Sequence, residues 1–389
     1  MTTAANAFDE NEDHRAIRAA VGAITDKFGG AYFAERAASH EPTTELWKAL
    51  ADSGFIGINL PEEYGGGGAG MTELALVCEE TAAHGCPLLL LLVSSAISGE
   101  LIAKYGSAEQ KQRWLPAMAS GETKVVFAIT EPDAGSNTHQ ISTSAVADGD
   151  DYILNGTKYY ISGVDEADAL VVVTRTGVDE TTGRGLLSLF VVPTDSPGLI
   201  KQRLPVAVSV PEKQFTLHFD DVRLPADALI GEVNEGFRQV FDGLNPERIT
   251  GAAVCVGIGR YAVAKGAEYA RNRAVWGQPI GAHQGVAHPL AKAKIEVDLA
   301  ALATARAAWL YETGRSAGEA SNIAKYAAAE AAINAVDTAI QTHGGNGLSV
   351  DFGLIPQWGL ARLLRIAPVS REMILNYVAQ HSLSLPRSY

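Results

Sequence analysis

The chain predicts an α+β multidomain protein, with a helical domain over residues 1–121, an antiparallel β domain over 122–232 and a helical bundle over 233–389. Three observations carry that expectation. Apolar residues recur at helix-like spacing in the first region, compact β-rich runs replace them in the second, and Ala-rich helical stretches fill the third. A length of 389 residues suits two or three domains. With 47% hydrophobic and 20% charged residues, the composition is that of a chain that folds around a core.

In the first region Leu46, Leu50 and Phe55 begin an apolar stripe after a polar stretch at 41–45. Residues 74–83 and 96–105 continue it with helical spacing. The glycines at 65–68 interrupt the helices and read as a mobile loop. Gly65, Gly67 and Gly70 formally spell GxGxxG. They follow Pro-Glu-Glu-Tyr in a helical region, whereas the dinucleotide fingerprint needs a preceding strand, so the motif reads as a flexible loop.

In the second region "KVVFAIT", "DALVVVT" and "LLSLFVV" are short apolar strands. "FTLHF" alternates, with Phe215, Leu217 and Phe219 on one face. Asn155-Gly156, between "DYIL" and "KYYIS", predicts a two-residue hairpin. The absence of helical runs between strands favours an antiparallel barrel or sandwich over a doubly wound sheet. In the third region "IAKYAAAEAAINAVDTAIQTHGG" favours helix, with Gly344 as its C-cap. Long helices with short breaks predict a bundle.

The balance of 31 Lys+Arg against 45 Asp+Glu leaves a net charge of −14, which argues against a nucleic-acid or anionic-membrane partner. The longest aliphatic stretch, 88–93, is too short to span a bilayer. The first fifteen residues hold Asp9, Glu10, Glu12 and Asp13 with a single Arg, unlike a secretory or transit leader, so the expected location is cytoplasmic. The three cysteines form no CxxC, which excludes a zinc ribbon or disulfide scaffold. The nine histidines lack metal-ligand spacing, and no P-loop, HExxH or GxSxG motif is present.

Five segments offer chemistry beside a plainer reading. "FAITEPDAGSN" (127–137) runs from a β stretch into a turn whose N–H groups and hydroxyls can bind a polar ligand, or is an ordinary β-turn. "NGTKYYISG" (155–163) sets Tyr160 and Ser162 on one strand face, able to stack on a planar ring and donate to it, or is a half-buried strand. "NPER" (245–248) reads as a helix start, with Asn245 as N-cap and Pro246 at the first helical position, or as a carboxylate base beside a cation. "ARNRAVWGQPIGAHQ" (270–284) offers Arg273 to a phosphate and Trp276 to a ring. "QTHGGNG" (341–347) ends a helix in glycines that let a ligand approach the backbone. Surface capping is the alternative for these last two.

Together, and in order along nearly the whole chain, these segments resemble the acyl-CoA dehydrogenase family. "LADSGFIGINLPEEYGGGG" resembles its N-terminal helical motif and "FDDVRLP" the exit from its β domain. The resemblance implies a helical domain, a β domain and a four-helix bundle, assembled as a homotetramer that binds FAD. It implies flavin contacts from Phe127, Ile129, Thr130, Tyr160, Ser162 and Ser370, with Tyr160 in place of the commoner Trp and Ser162 in place of Thr. Arg273, Trp276 and Gln284 would hold the FAD diphosphate and adenosine region, completed by Gln341 and Gly345 of a neighbouring subunit. Ser136, Asn245, Arg248 and Val369 would line the substrate.

The implied reaction is α,β-desaturation of an acyl-CoA thioester, with electrons passed on to an electron-transfer flavoprotein. Most members carry the base in a C-terminal Glu-Gly-Thr segment. Here "RIAPVSREMI" (365–374) puts Pro368 at that place. "LNPER" (244–248) matches the Leu-x-x-Glu-Arg pattern of the isovaleryl- and long-chain-type branch, which assigns the base to Glu247. Pro368 also lacks the N–H that bonds the thioester carbonyl in most members. Either Val369 takes that role or the flavin ribityl hydroxyl acts more alone. An O2-using flavin monooxygenase or oxidase on the same scaffold, and a non-catalytic subunit of a hetero-oligomeric dehydrogenase, remain as alternatives.

Overall fold

A computed structural model describes residues 10–387; of the acidic residues used above to judge the leader, Asp9 lies outside the described residues, and Glu12 and Asp13 fall in the first turn of the first helix. Helices α1 (Glu12–Thr25), α2 (Gly29–Ser39), α3 (Thr44–Ala51), α4 (Met71–Ala83), α5 (Glu100–Tyr105) and α6 (Ala108–Ala119) form the first part. A π-wound segment, Leu91–Gly99, runs directly into α5. Of the predicted stripe, Leu46 and Leu50 lie in the core with Phe33 and Leu74, and Phe55, beyond the end of α3, is half-buried against it. Asn11 and Ser107 cap α1 and α6 by accepting the N–H groups of His14 and Gln110.

The glycine segment is not a mobile loop. The N–H groups of Gly67, Gly68 and Ala69 donate to the carbonyls of Gly57, Leu60 and Ile58 at 2.9–3.0 Å. A Cβ on Gly66 would fall 2.2 Å from the Leu60 carbonyl, so the glycine permits close backbone packing.

The middle part is one sheet of β1 (Val125–Ala128), β2 (Ser144–Asp148), β3 (Asp151–Ser162), β4 (Ala169–Val178), β5 (Gly185–Pro193), β6 (Leu199–Leu204), β7 (Gln214–Pro225) and β8 (Leu229–Ile230). The order is β6-β7-β3-β2-β4-β5-β8, mostly antiparallel, with β1 joined to β4 in parallel. Phe215, Leu217 and Phe219 are buried along β7, as their alternation predicts. The hairpin lies elsewhere than predicted: Gly149 and Asp150 turn the chain, and β3 continues through Asn155-Gly156. The sheet keeps this pair because Gly156 sits in a bulge where a Cβ would come 2.5 Å from Thr143 Cα. Asn155 exchanges two 2.9 Å hydrogen bonds with Asp221.

The last part holds α7 (Gly236–Asn272), α8 (Gln284–Glu312), α9 (Gly318–His343), α10 (Leu354–Leu364) and α11 (Arg371–Tyr377). Here α7, α8 and α9 pack along one another, α10 lies against α9 and α7, and Gly344 caps α9 as predicted. Arg260 of α7 bonds Glu79 and Glu80 of α4 at 2.5 Å, and Arg18 of α1 joins the same pair, so a charged knot fixes the first part on the bundle. No helix among the described residues is long and apolar enough to cross a membrane.

Candidate active site

The helix carrying Glu247 begins at Gly236, so "NPER" is not a helix start. Pro246 is buried inside α7, where it removes one helical hydrogen bond at a cost of about 3 kcal/mol. Packing of the long helix overrides that local signal, and Thr250 Oγ1 donates to the Pro246 carbonyl at 2.9 Å. Asn245 is no cap; its Oδ1 accepts from Arg248 at 3.1 Å. Glu247 keeps some accessible surface, yet burial pushes its carboxyl up to about 7 against the pull of Arg248 and Lys325. Burial also lowers the Arg248 guanidinium, with Glu247 opposing.

Four elements meet around this carboxyl. A Cβ on Gly251, one turn beyond Glu247, would stand 3.7 Å from Leu92 and 3.9 Å from Pro368. The π-wound segment and the loop holding Pro368 and Val369 therefore face the same stretch of α7. Lys325 of α9 donates to the Val369 carbonyl at 2.6 Å, and no described residue accepts the Val369 N–H. Ser370 caps α11, its Oγ accepting the Met373 N–H at 3.3 Å. Sequence reasoning missed Leu92, Gly251 and Lys325. Lys325 was legible as the one cation on the buried stripe Ser321, Ala328, Ala332 of an Ala-rich helix.

The second group of expected residues lies where β1 and β3 end. Phe127 is buried, whereas Ile129 and Thr130 are half-buried as the chain leaves β1. The Thr130 carbonyl accepts the Tyr159 N–H at 2.8 Å, joining this segment to β3. A bulge between Lys158 and Ile161 places Tyr160 at a φ of 58°, with the residue 54% exposed. Ile161 is buried between Tyr160 and Ser162, which leaves those two on the open side. Ser162 Oγ donates to Gln214 at 3.0 Å.

Beneath that ledge Lys158 is buried, donating to Glu131 and to the Ile129 carbonyl at 2.9 Å. Glu131 also accepts from Ser142 and Thr143. Burial works against its charge, but Lys158 and these donors hold its carboxyl down to about 2. Ser136 is exposed beyond Glu131, and His139 of the same loop stacks on Phe237 at the start of α7 at 4.9 Å.

The third group sits at the other end of α7. Ala274–Val275 and Gln278–Pro279 form a hairpin whose turn holds Trp276 and Gly277 at positive φ. Arg273, Gln284 and Gln341 are exposed, Trp276 is 89% exposed, and a Cβ on Gly345 would meet nothing within 4 Å. Tyr269 stacks on His343 at 4.2 Å and bonds Asn346, which brings the hairpin and the end of α9 together. Arg273 has no ion-pair partner among the described residues. An aromatic face with a hydroxyl at one site, and a free cation with amides and open backbone at the other, are donor sets that suit a flavin ring and a diphosphate.

The acyl-CoA dehydrogenase N-terminal, middle and C-terminal domains match residues 11–122, 126–222 and 234–383. The chain is 54% identical to acyl-CoA dehydrogenase FadE12 of Mycobacterium tuberculosis over 384 residues, covering 98% of this chain and 99% of that protein. It is 31% identical to the mitochondrial long-chain specific acyl-CoA dehydrogenase of Sus scrofa, covering 90% and 81%. A glutaryl-CoA dehydrogenase from Mycobacterium smegmatis in complex with FADH2 superposes with a TM-score of 0.91 at 26% identity, covering 98% and 96%.

Proposed function

The chain belongs to the acyl-CoA dehydrogenase family and is an FAD-dependent enzyme, and from that premise we propose that Glu247 is the base that removes the Cα proton of an acyl-CoA thioester. One observation carries the reading: Pro368 packs against α7 one turn from Glu247. The two places where this family keeps its base thus face one space, and of the two residues only Glu247 can take a proton. When bound, FAD supplies the oxidant that accepts the hydride from Cβ at N5.

The chain's own residues supply the rest. Desolvation keeps the Glu247 carboxylate basic enough to remove a weakly acidic proton. The Val369 N–H, which no described residue accepts, takes the donor role that Pro368 cannot fill and bonds the thioester carbonyl as charge develops there. Asn245 and Arg248 orient the base and the substrate, and Ser136 meets the CoA side beside the aromatic pair of His139 and Phe237. Tyr160 and Ser162 would hold the flavin ring from the open side of β3, with Phe127, Ile129, Thr130 and Ser370 completing that wall. Electrons leave to an electron-transfer flavoprotein.

Glu247 and Arg273 are about 39 Å apart along α7. That separation supports a site completed by a second copy, whose Arg273, Trp276, Gln284, Gln341 and Gly345 hold the diphosphate and adenosine, within a homotetramer. The test is anaerobic mixing of FAD-loaded protein with straight, branched and cyclic acyl-CoAs. Parent protein is expected to bleach with one class. Glu247→Gln is expected to keep FAD but lose bleaching by several orders of magnitude. Equal bleaching by the variant would remove Glu247 from the base role, and a parent that never bleaches would favour the O2-using or subunit readings.

A further inference from the structure

We propose that Lys325 is a positioning residue of this active site, which docks the loop after Pro368 onto α9 and holds a positive charge beside the Glu247 carboxylate. The inference rests on Glu247 as base and extends it to a residue of another helix.

Lys325 is 2% exposed in the middle of the bundle, where an ammonium is retained only with close partners. Its Nζ donates to the Val369 carbonyl at 2.6 Å. The loop has other ties to α9: Glu330 bonds Arg365 at 2.6 Å and lies 3.6 Å from Arg371, the residues that flank the loop on either side. Those pairs hold the two flanks of the loop, and Lys325 holds its centre at Val369. A neutral amide donor would serve the Val369 carbonyl with a smaller desolvation cost than a buried ammonium. The feature specific to lysine is its charge.

That charge acts on a defined set of groups. From α7 these are Glu247, Arg248 and Cys255, from α9 Glu330, and Tyr377 of α11 acts on Arg248. Burial pushes the Cys255 thiol up to about 12, so it stays neutral, and Glu330 is already paired with Arg365. Glu247 is therefore the anion left to answer Lys325. Burial brings the Lys325 ammonium down to about 8, which leaves it charged at neutral pH. A cation there favours ionised Glu247, the form that accepts the Cα proton, while the same side chain fixes the peptide following Val369.

The test uses FAD-loaded Lys325→Gln, Lys325→Arg and Lys325→Met, with thermal stability and flavin content recorded for each. The Glu247 carboxyl is titrated by infrared difference against Glu247→Gln, without substrate, and the pH dependence of flavin bleaching is measured beside it. Lys325→Gln keeps a donor for Val369 and loses the charge, so both midpoints are expected to rise by about one pH unit. Lys325→Arg is expected to hold the parent midpoint. Lys325→Met is expected to show the same rise with a lower plateau rate, through release of the loop. A parent-like carboxyl midpoint in Lys325→Gln overturns the proposal, as does an equal loss at every pH in all three variants. Bleaching by Glu247→Gln would instead sink the base assignment, and the infrared titration still reads the effect of Lys325 in that case.

Discussion

Glu247 shows how little of a residue's chemistry is written in its neighbours along the chain. Arg248 alone would depress its carboxyl, yet burial wins and lifts it to about 7. A base must be ionised to work, so bleaching is expected to rise about tenfold per pH unit below 7 and level off above it, read by stopped flow from pH 5.5 to 8.5. A flat profile would contradict a desolvated base. The linkage has the opposite sense. A carboxyl raised above its unfolded value of about 4.3 contributes stability below that pH and loses it as pH climbs through 7. Glu247→Gln is therefore expected to melt higher relative to parent at pH 8 than at pH 5.

Elements decide where such residues stand. The strand β3 carries Tyr160 and Ser162 to an open side because a bulge and the buried Lys158–Glu131 pair hold it against the loop leaving β1. Lys158→Met would leave Glu131 charged and buried without its cation, and a loss of about 3–5 kcal/mol is expected in denaturant unfolding, together with weaker FAD retention. A change below about 1 kcal/mol would show the pair to be incidental. Because Glu131 is held down to about 2, its contribution is present above pH 4.5 and lost as pH falls toward 2. The helix α7 teaches the complementary lesson. Asn245-Pro246 is a strong local start signal, and a 37-residue helix buried on several sides runs straight through it.

At the scale of the whole molecule, one chain carries the proposed base Glu247 in the first half of α7 and the exposed cation Arg273 at its C-terminal end. Ile295, Leu299 and Leu302 are 60%, 61% and 52% exposed at helical spacing on α8, an apolar stripe suited to a second copy. Leu299→Asp is expected to lower the assembled mass in sedimentation and to release FAD. Arg273→Ala is expected to release FAD while the mass stays that of the parent. FAD content unchanged in both variants would mean that each chain binds its cofactor without a neighbour.

The sequence by itself determined the order of helical, β and helical parts, because periods of 3.6 and 2 residues are local properties of the chain. It also determined the family, through segments whose order spans nearly the whole length. It misplaced the hairpin, the start of α7 and the state of the glycine segment. Each of those depends on a partner far along the chain: Thr143 under Gly156, the bundle around Pro246, and the 57–60 backbone against Gly66. Only the tertiary structure brought Lys325, Gly251 and Val369 to Glu247. Desolvation and the field of a neighbouring helix belong to a folded interior, and no spacing along a single chain encodes them.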